Sequence, residues 1–343
     1  MKKPLCVLTM GDPAGVGPEV ILKTLFSARA RRAADMVVIG YPGPFERDAD
    51  MLNLDVRFRE TASLENAGSA DDTVDIIVPD RSFSPPLDYG VVDERCGRAA
   101  GLCIVRSAEL TLGGGADAVA TAPINKESLN ATGFDFPGHT EFYRNLTSAG
   151  EIAMMLTLGD FRVVHVTTHV AIKNVPALVR KTRIVTVASL MHEALLCLGI
   201  EQPRLAVSGL NPHAGEAGMF GSEEITDITP AVVELRKRGM KVEGPLPPDT
   251  VFTRAWCGEF DGVVAMFHDQ GHIALKLAGF KLGGGAREVG GVNTTLGLPI
   301  VRTSVDHGTA FDIAGRGIAS PLSMIEAVET AAALVRGRYS RKK

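Results

Sequence analysis

Three histidines stand where chemistry is easiest to build. His169 closes the stretch "VVHVTTH", His213 lies in "SGLNPHAGE", and His268 ends the apolar run "DGVVAMFH". Each follows a run that reads as a strand. In open α/β sheets, ligands collect outside the carboxyl ends of the strands, so all three are predicted on one functional edge. Their wide spacing excludes a local metal finger but suits a site assembled from separate loops. Three neutral imidazoles bind a divalent ion and leave positions open for substrate oxygens. The plainer alternative is that each histidine is a polar strand end bonded to backbone.

Directly after His268 come Asp269, Gln270, His272 and Lys276, an unusual density of polar groups behind a greasy strand. His272 is four residues on, the spacing of a shared helical face, and reads as a second ligand, a supporting group or a helix-start residue. Lys276 lies about two helical turns from His268, so it can face the same crevice, to hold an anion or move a proton. A solvated surface lysine is the competing reading. Arg302 sits inside the apolar "LPIVRTSVDHG", where an unpaired guanidinium is costly to bury, and an anionic ligand is the preferred partner. "FPGHTEFY" presents His139 and Thr140 after a Pro-Gly turn. His165, inside a strand pattern, reads as a satisfied core residue, and His192 as a structural helix residue.

The elements that must position these groups alternate along the chain. Strand candidates are 5–10, 36–39, 74–78, 116–121, 152–158, 161–168, 204–208, 261–267 and 298–304, several with almost no polar alternation. Short apolar runs separated by helical patterns predict parallel strands with crossover helices. Pro18 opens one helix. Ser222 with Glu223 and Glu224 begins another, with negative charge at the positive end of its dipole, and Ser320 with Pro321 begins the last. "GDPAGVGPE" at 11–19 has glycines but the spacing of neither a dinucleotide fingerprint nor a P-loop. It reads as a tight strand-to-helix turn; any anion there would be held by the helix N-terminus. "KLGGGAREVGG" at 281–291 reads as a mobile loop.

With 343 residues, the chain fits two domains or one large α/β unit. A formal net charge of -4 argues against a general nucleic-acid surface. No apolar run approaches a membrane span, and the N-terminus reads as a first strand rather than a signal peptide. Five scattered cysteines without a C-x-x-C pair predict core filler in a reducing compartment, hence the cytoplasm.

The ordered set "GDPAGVGPE", "TAPINKESL", "GHTEF", "TTHVAI", "GLNPHAGE", "GPLPPDT", "HDQGHIALK", "GVNTTLGLP" and "RTSVDHGTAFDIAGRGIASP" resembles the 4-hydroxythreonine-4-phosphate dehydrogenase (PdxA) family across nearly the whole chain. The first and last motifs also look like the wider isocitrate and isopropylmalate dehydrogenase fold. The resemblance implies two α/β/α domains around a cleft, 1–125 with 295–343 and 126–294, in a homodimer whose active site lies at the interface. It implies a divalent metal (Zn, Mg, Mn or Co) held by His169, His213 and His268. Substrate would contact His139, Thr140, Lys276, Asn293 and Arg302. NAD, with NADP as the alternative, would meet His307, Gly308, Thr309 and Asp312. Two features, His272 and the long connection at 281–291, look more like relatives acting on D-threonate or D-erythronate 4-phosphate.

The implied reaction oxidises a hydroxyl β to a carboxylate and then releases CO2. Lys276 is the candidate for proton transfer or carboxylate binding, and Asp269 for orienting His268 or a metal-bound water. A non-catalytic metal or sugar-phosphate binding module and a metal-dependent hydrolase are the rivals; neither needs NAD.

Overall fold

The computed structural model describes residues 3–64, 72–279 and 290–341. Among them the strands run β1 (Leu5–Thr9), β2 (Asp35–Ile39), β3 (Arg57–Glu60), β4 (Thr73–Ile77), β5 (Ala118–Thr121), β6 (Ala153–Leu158), β7 (Phe161–His165), β8 (Arg204–Ser208), β9 (Lys241–Leu246), β10 (Gly262–Ala265), β11 (Val292–Leu296) and β12 (Val301–Val305). The chain divides into two compact units. Unit 1 comprises Met1–Gly150, Ala286–Val292 and Leu298–Tyr339, and unit 2 comprises Glu151–Gly285, Asn293–Gly297 and Ser340–Lys343. The 281–291 stretch lies outside the described residues except for Gly290 and Gly291.

In unit 1 the strand order is β3-β4-β2-β1-β5-β12, parallel throughout. β1, β2 and β5 are short apolar runs buried almost end to end, as strands covered on both faces must be. β12 differs: Arg302, Thr303 and Ser304 are polar yet buried. The helix Glu94–Leu112 starts where the Asp93 carboxylate accepts the Arg95 N–H. Its Gly101 leaves room for Phe134, because a Cβ there would lie 2.3 Å from that ring. Phe136 in turn stacks on Phe142 at 4.3 Å. Phe142 is buried and belongs to the helix His139–Leu146, so this aromatic packing, worth about 2–3 kcal/mol for the one side chain, anchors the element that begins with His139.

In unit 2 the order is β11-β6-β7-β10-β8-β9. The expectation of parallel strands fails where β6 and β7 pair antiparallel. Only Gly159 and Asp160 separate them, far too few residues for a crossover, and Gly159 takes the positive φ of 56° that the tight turn needs. Leu156, Phe161, Val163, Ala206, Val263, Ala265 and Leu275 form the core, with Val251, Phe252 and Phe260 closing it.

Candidate active site

The carboxyl ends of β7, β8 and β10 deliver His169, His213 and His268, all within unit 2. A cavity of about 290 Å³ at this edge is lined by Thr167, His169, Phe267, His268 and Asp269, among others. The rings of His169 and His268 stand 5.6 Å apart. His268 is the first residue of the helix His268–Gly279, and its Nδ1 donates to the Asp269 carboxylate at 2.7 Å. A carboxylate only accepts, so the neutral ring keeps its lone pair on Nε2, the state a metal ligand requires.

His213 has the same arrangement by another route. Its Nδ1 donates to Glu216 Oε1 at 3.1 Å, again leaving Nε2 as the acceptor. The backbone beneath is left-handed for five consecutive residues, with φ of 51°, 56°, 81°, 44° and 56° from His213 to Ala217. Glu224 holds this turn. Its buried carboxylate accepts the N–H groups of Leu210 and Asn211 at 2.8 Å each and the Asn211 amide at 2.9 Å. Glu224 stands in the first turn of the helical segment Glu224–Ile228, as its sequence position suggests, and from there its oxygens also hold the histidine turn. Among the described residues, no three His, Cys, Asp or Glu side chains of one chain gather closely enough to hold a metal ion. The tautomers of His213 and His268 fit a metal.

His272 stacks on His268 with ring centroids 3.6 Å apart, and its Nδ1 donates to the His268 carbonyl at 3.0 Å. Burial, reinforced by His268, pushes its pKa down to about 4. His165 lies 4.8 Å from His272, is bonded at Nδ1 to the Met154 carbonyl, and is pushed by burial down to about 3. Its Nε2 is buried without a hydrogen bond, so the core histidine is only half satisfied. Both rings are neutral at physiological pH. Lys276 lies two turns along the same helix, and Asn293 on β11 has its Oδ1 buried without a partner. His192 lies on the helix Lys181–Cys197.

Unit 1 carries the remaining groups. Arg302 is 2% exposed; its Nη2 donates to Thr121 Oγ1 at 2.6 Å and its guanidinium lies 5.7 Å from the Tyr143 ring. Burial lowers its pKa to about 10, which still leaves it cationic at neutral pH. His139 begins its helix with Nε2 buried and unbonded, and burial followed by the charges of Arg302 and Lys126 holds it well below the usual imidazole range. A neutral imidazole and a buried cation thus lie near each other, with Thr140 next along the helix.

The 11–19 stretch forms the tight strand-to-helix turn expected of it, between β1 and the helix Gly17–Leu25. Residues 11–20 are all buried. The Val16 N–H is taken by the Thr309 carbonyl at 3.0 Å, and a Cβ on Gly15 would lie 2.8 Å from that same oxygen. Asp12 is fully buried, and burial raises its carboxyl to about 6. The glycines let the turn press against the segment carrying His307, Gly308, Thr309 and Asp312, where His307 Nδ1 donates to the Gly308 carbonyl at 2.9 Å and Asp312 is exposed.

The sequence shows neither that Glu224, placed at a helix start, also holds the 210–211 backbone nor what Gln270 does. Gln270 was conspicuous, at the third position of its helix, but the sequence does not show what its amide reaches.

Comparison with known proteins adds a further finding. Residues 32–331 match the family of the pyridoxal phosphate biosynthetic protein PdxA. The chain is 43% identical to the D-threonate 4-phosphate dehydrogenase of Salmonella typhimurium, over 96% of this chain and 99% of that one. It is 42% identical to the 4-hydroxythreonine-4-phosphate dehydrogenase of Geobacter metallireducens, over 98% and 97%. Among solved structures, a 4-hydroxythreonine-4-phosphate dehydrogenase from Klebsiella pneumoniae superposes with a TM-score of 0.82 at 41% identity, covering 97% of this chain and 100% of that one.

Proposed function

Because the chain belongs to the PdxA family, we propose that it is a dehydrogenase that uses NAD and a divalent metal to oxidise and decarboxylate a 4-phosphorylated 3-hydroxy acid. The main substrate reading is 4-hydroxy-L-threonine 4-phosphate. D-threonate or D-erythronate 4-phosphate is the second reading, supported by relatives named for D-threonate 4-phosphate, one at 43% identity against 42% for the relative named for 4-hydroxythreonine 4-phosphate, and by the stacked His272.

The observation that carries the reading is the matched pair His268–Asp269 and His213–Glu216, each directing an Nε2 lone pair away from its carboxylate. His169, His213 and His268 would hold the ion, whose chemistry is to acidify the substrate hydroxyl and stabilise negative charge. The hydroxyl then loses its proton while its carbon gives hydride to NAD, forming a β-keto acid and NADH. The C–C bond to the carboxylate breaks, CO2 leaves, and the resulting enol carbon takes a proton. Lys276 is assigned to proton transfer. Buried, cationic Arg302 and neutral His139, with Thr140 and Asn293, are assigned to the anionic parts of the substrate. His307, Gly308, Thr309 and Asp312 are assigned to the cofactor.

A homodimer with the active site at its interface accounts for two features. Among the described residues of one chain no three ligands gather, and Met219, Phe220 and Ile225 stand exposed beside the His213 turn. The cytoplasm suits the five free cysteines, of which Cys6, Cys96 and Cys103 are buried with thiols raised to about 12.

The test follows NADH formation with each of the three phosphorylated acids, with and without a chelator. Chelator-sensitive turnover, reduced at least about 100-fold in His213→Ala, is expected. Binding of the phosphate esters without NADH formation would replace this reading with the binding module, and ester cleavage without NAD would replace it with the hydrolase.

A further inference from the structure

The histidine arms leave three different strands, and sheet hydrogen bonding ends before any of them reaches its histidine. Their connections meet at Met266. Its carbonyl accepts Thr167 N–H at 3.2 Å and Thr167 Oγ1–H at 2.8 Å, which ties down the arm of His169. Its N–H donates to Gln270 Oε1 at 2.7 Å. The other end of the same amide, Nε2, donates to the Gly209 carbonyl at 2.8 Å, at the root of the arm that carries His213.

A glutamine at the third position of a helix commonly reaches back to a free N–H at the helix start, and Oε1 alone would satisfy that need. The bond from Nε2 to Gly209 exceeds it, because Gly209 belongs to another strand connection. The Gly209 N–H is already paired with the Leu246 carbonyl at 2.7 Å, so the two peptides that flank Gly209 are fixed, one from the β9 side and one from the helix side. We propose that Gln270 is a positioning residue that locks the His213 arm to the His268 arm at the sheet edge, fixing where both Nε2 lone pairs stand. This inference rests on the metal-dependent reading above for its consequence, and on the geometry alone for the lock.

Two variants separate the lock from simple helix capping. Gln270→Glu keeps an acceptor for the Met266 N–H but loses the donor to Gly209 and sets a carboxylate against that carbonyl. Gln270→Met removes both bonds at similar volume. Backbone hydrogen exchange of 209–218 is followed by mass spectrometry, and Co²⁺ affinity by titration of the full-length protein, with circular dichroism as the folding control. The lock predicts that both variants exchange at least about 10-fold faster in 209–218 and bind Co²⁺ about 10- to 100-fold more weakly, with helix content kept. Wild-type protection of 209–218 and wild-type Co²⁺ affinity in Gln270→Glu would overturn it. If the wild-type protein binds no Co²⁺, the metal-dependent reading fails, while the exchange of 209–218 still decides the lock. If Gln270→Met does not fold, Gln270→Glu carries the decision.

Discussion

His268 and His213 present the same chemistry from opposite kinds of backbone. His268 opens a right-handed helix of 12 residues directly behind β10, and its orienting carboxylate is the next residue. His213 opens a left-handed turn in which four non-glycine residues, His213, Ala214, Glu216 and Ala217, have positive φ. At roughly 1–2 kcal/mol per non-glycine residue, such a turn costs on the order of 4–8 kcal/mol, comparable to the stability of a whole domain. It persists only if its surroundings over-determine it. The comparison teaches that one ligand position is supplied by regular secondary structure and the other by a distant residue, Glu224, that touches neither histidine.

The sharpest way to break the comparison is Glu224→Ala. It leaves the N–H groups of Leu210 and Asn211 without their acceptor and the Asn211 amide with the Glu223 carboxylate alone. With about 1–3 kcal/mol for each backbone group left unsatisfied, the expected loss is about 2 kcal/mol or more, read by urea unfolding. Exchange protection should vanish over 210–218 and remain over 268–279. Glu224→Gln should recover part of the loss, since one oxygen still accepts both backbone N–H groups. Equal loss of protection in both regions would mean that the two arms are not separately supported.

The same contrast governs what was legible in the sequence. The apolar runs of β1, β2, β4, β5, β6, β7, β8 and β10 announce themselves because buried strands need continuous hydrophobicity, and the apolar stretch 298–301 leads into the polar β12. β3 and β9 escaped notice. They are the outer strands of their units, and "RFRE" and "KVEGPL" carry the charge and the Gly-Pro that keep exposed edges from pairing. β11, "VNTTL", is mostly polar despite its burial. The three histidines were found because strand ends are readable. The left-handed turn was not, since Ala214, Glu216 and Ala217 are residues that ordinarily avoid positive φ. Nor was Glu224 as its holder, because a contact between two loops leaves no periodic trace. The 11–19 motif was legible as a tight strand-to-helix turn; what the sequence does not show is that the neighbour its Gly15 makes room for is the Thr309 backbone.

On the regular side, Gly271→Ala tests how tightly the helix of His268 is seated. Gly271 is buried, and a Cβ there would lie 2.5 Å from His165 Nε2 and 2.6 Å from Val163 Cγ1. Neither neighbour is a free-swinging chain end, since His165 is held at Nδ1 and Val163 lies in β7. Overpacking of this kind costs about 1–3 kcal/mol, and the helix should shift outward, taking His268 with it. Calorimetric melting checks the first expectation and the loss of NADH formation the second. An unchanged melting temperature would show that the helix seats more loosely than the contacts indicate.

The smallest effect is the most discriminating, because one substitution made on each side should change stability in opposite directions. Ala274→Gly lies within the helix His268–Gly279 and against the core, so it loses helix propensity and packing and should destabilise by about 1 kcal/mol. Ala217→Gly lies in the left-handed turn at φ 56°, where a Cβ is the source of the strain. Relief of roughly 1 kcal/mol is partly offset by the greater freedom that glycine has in the unfolded chain. The net is a gain of a few tenths of a kcal/mol, or about 1–2 °C in melting temperature. If Ala217→Gly destabilises as Ala274→Gly does, the turn is right-handed in solution, and the role given to Glu224 falls with it.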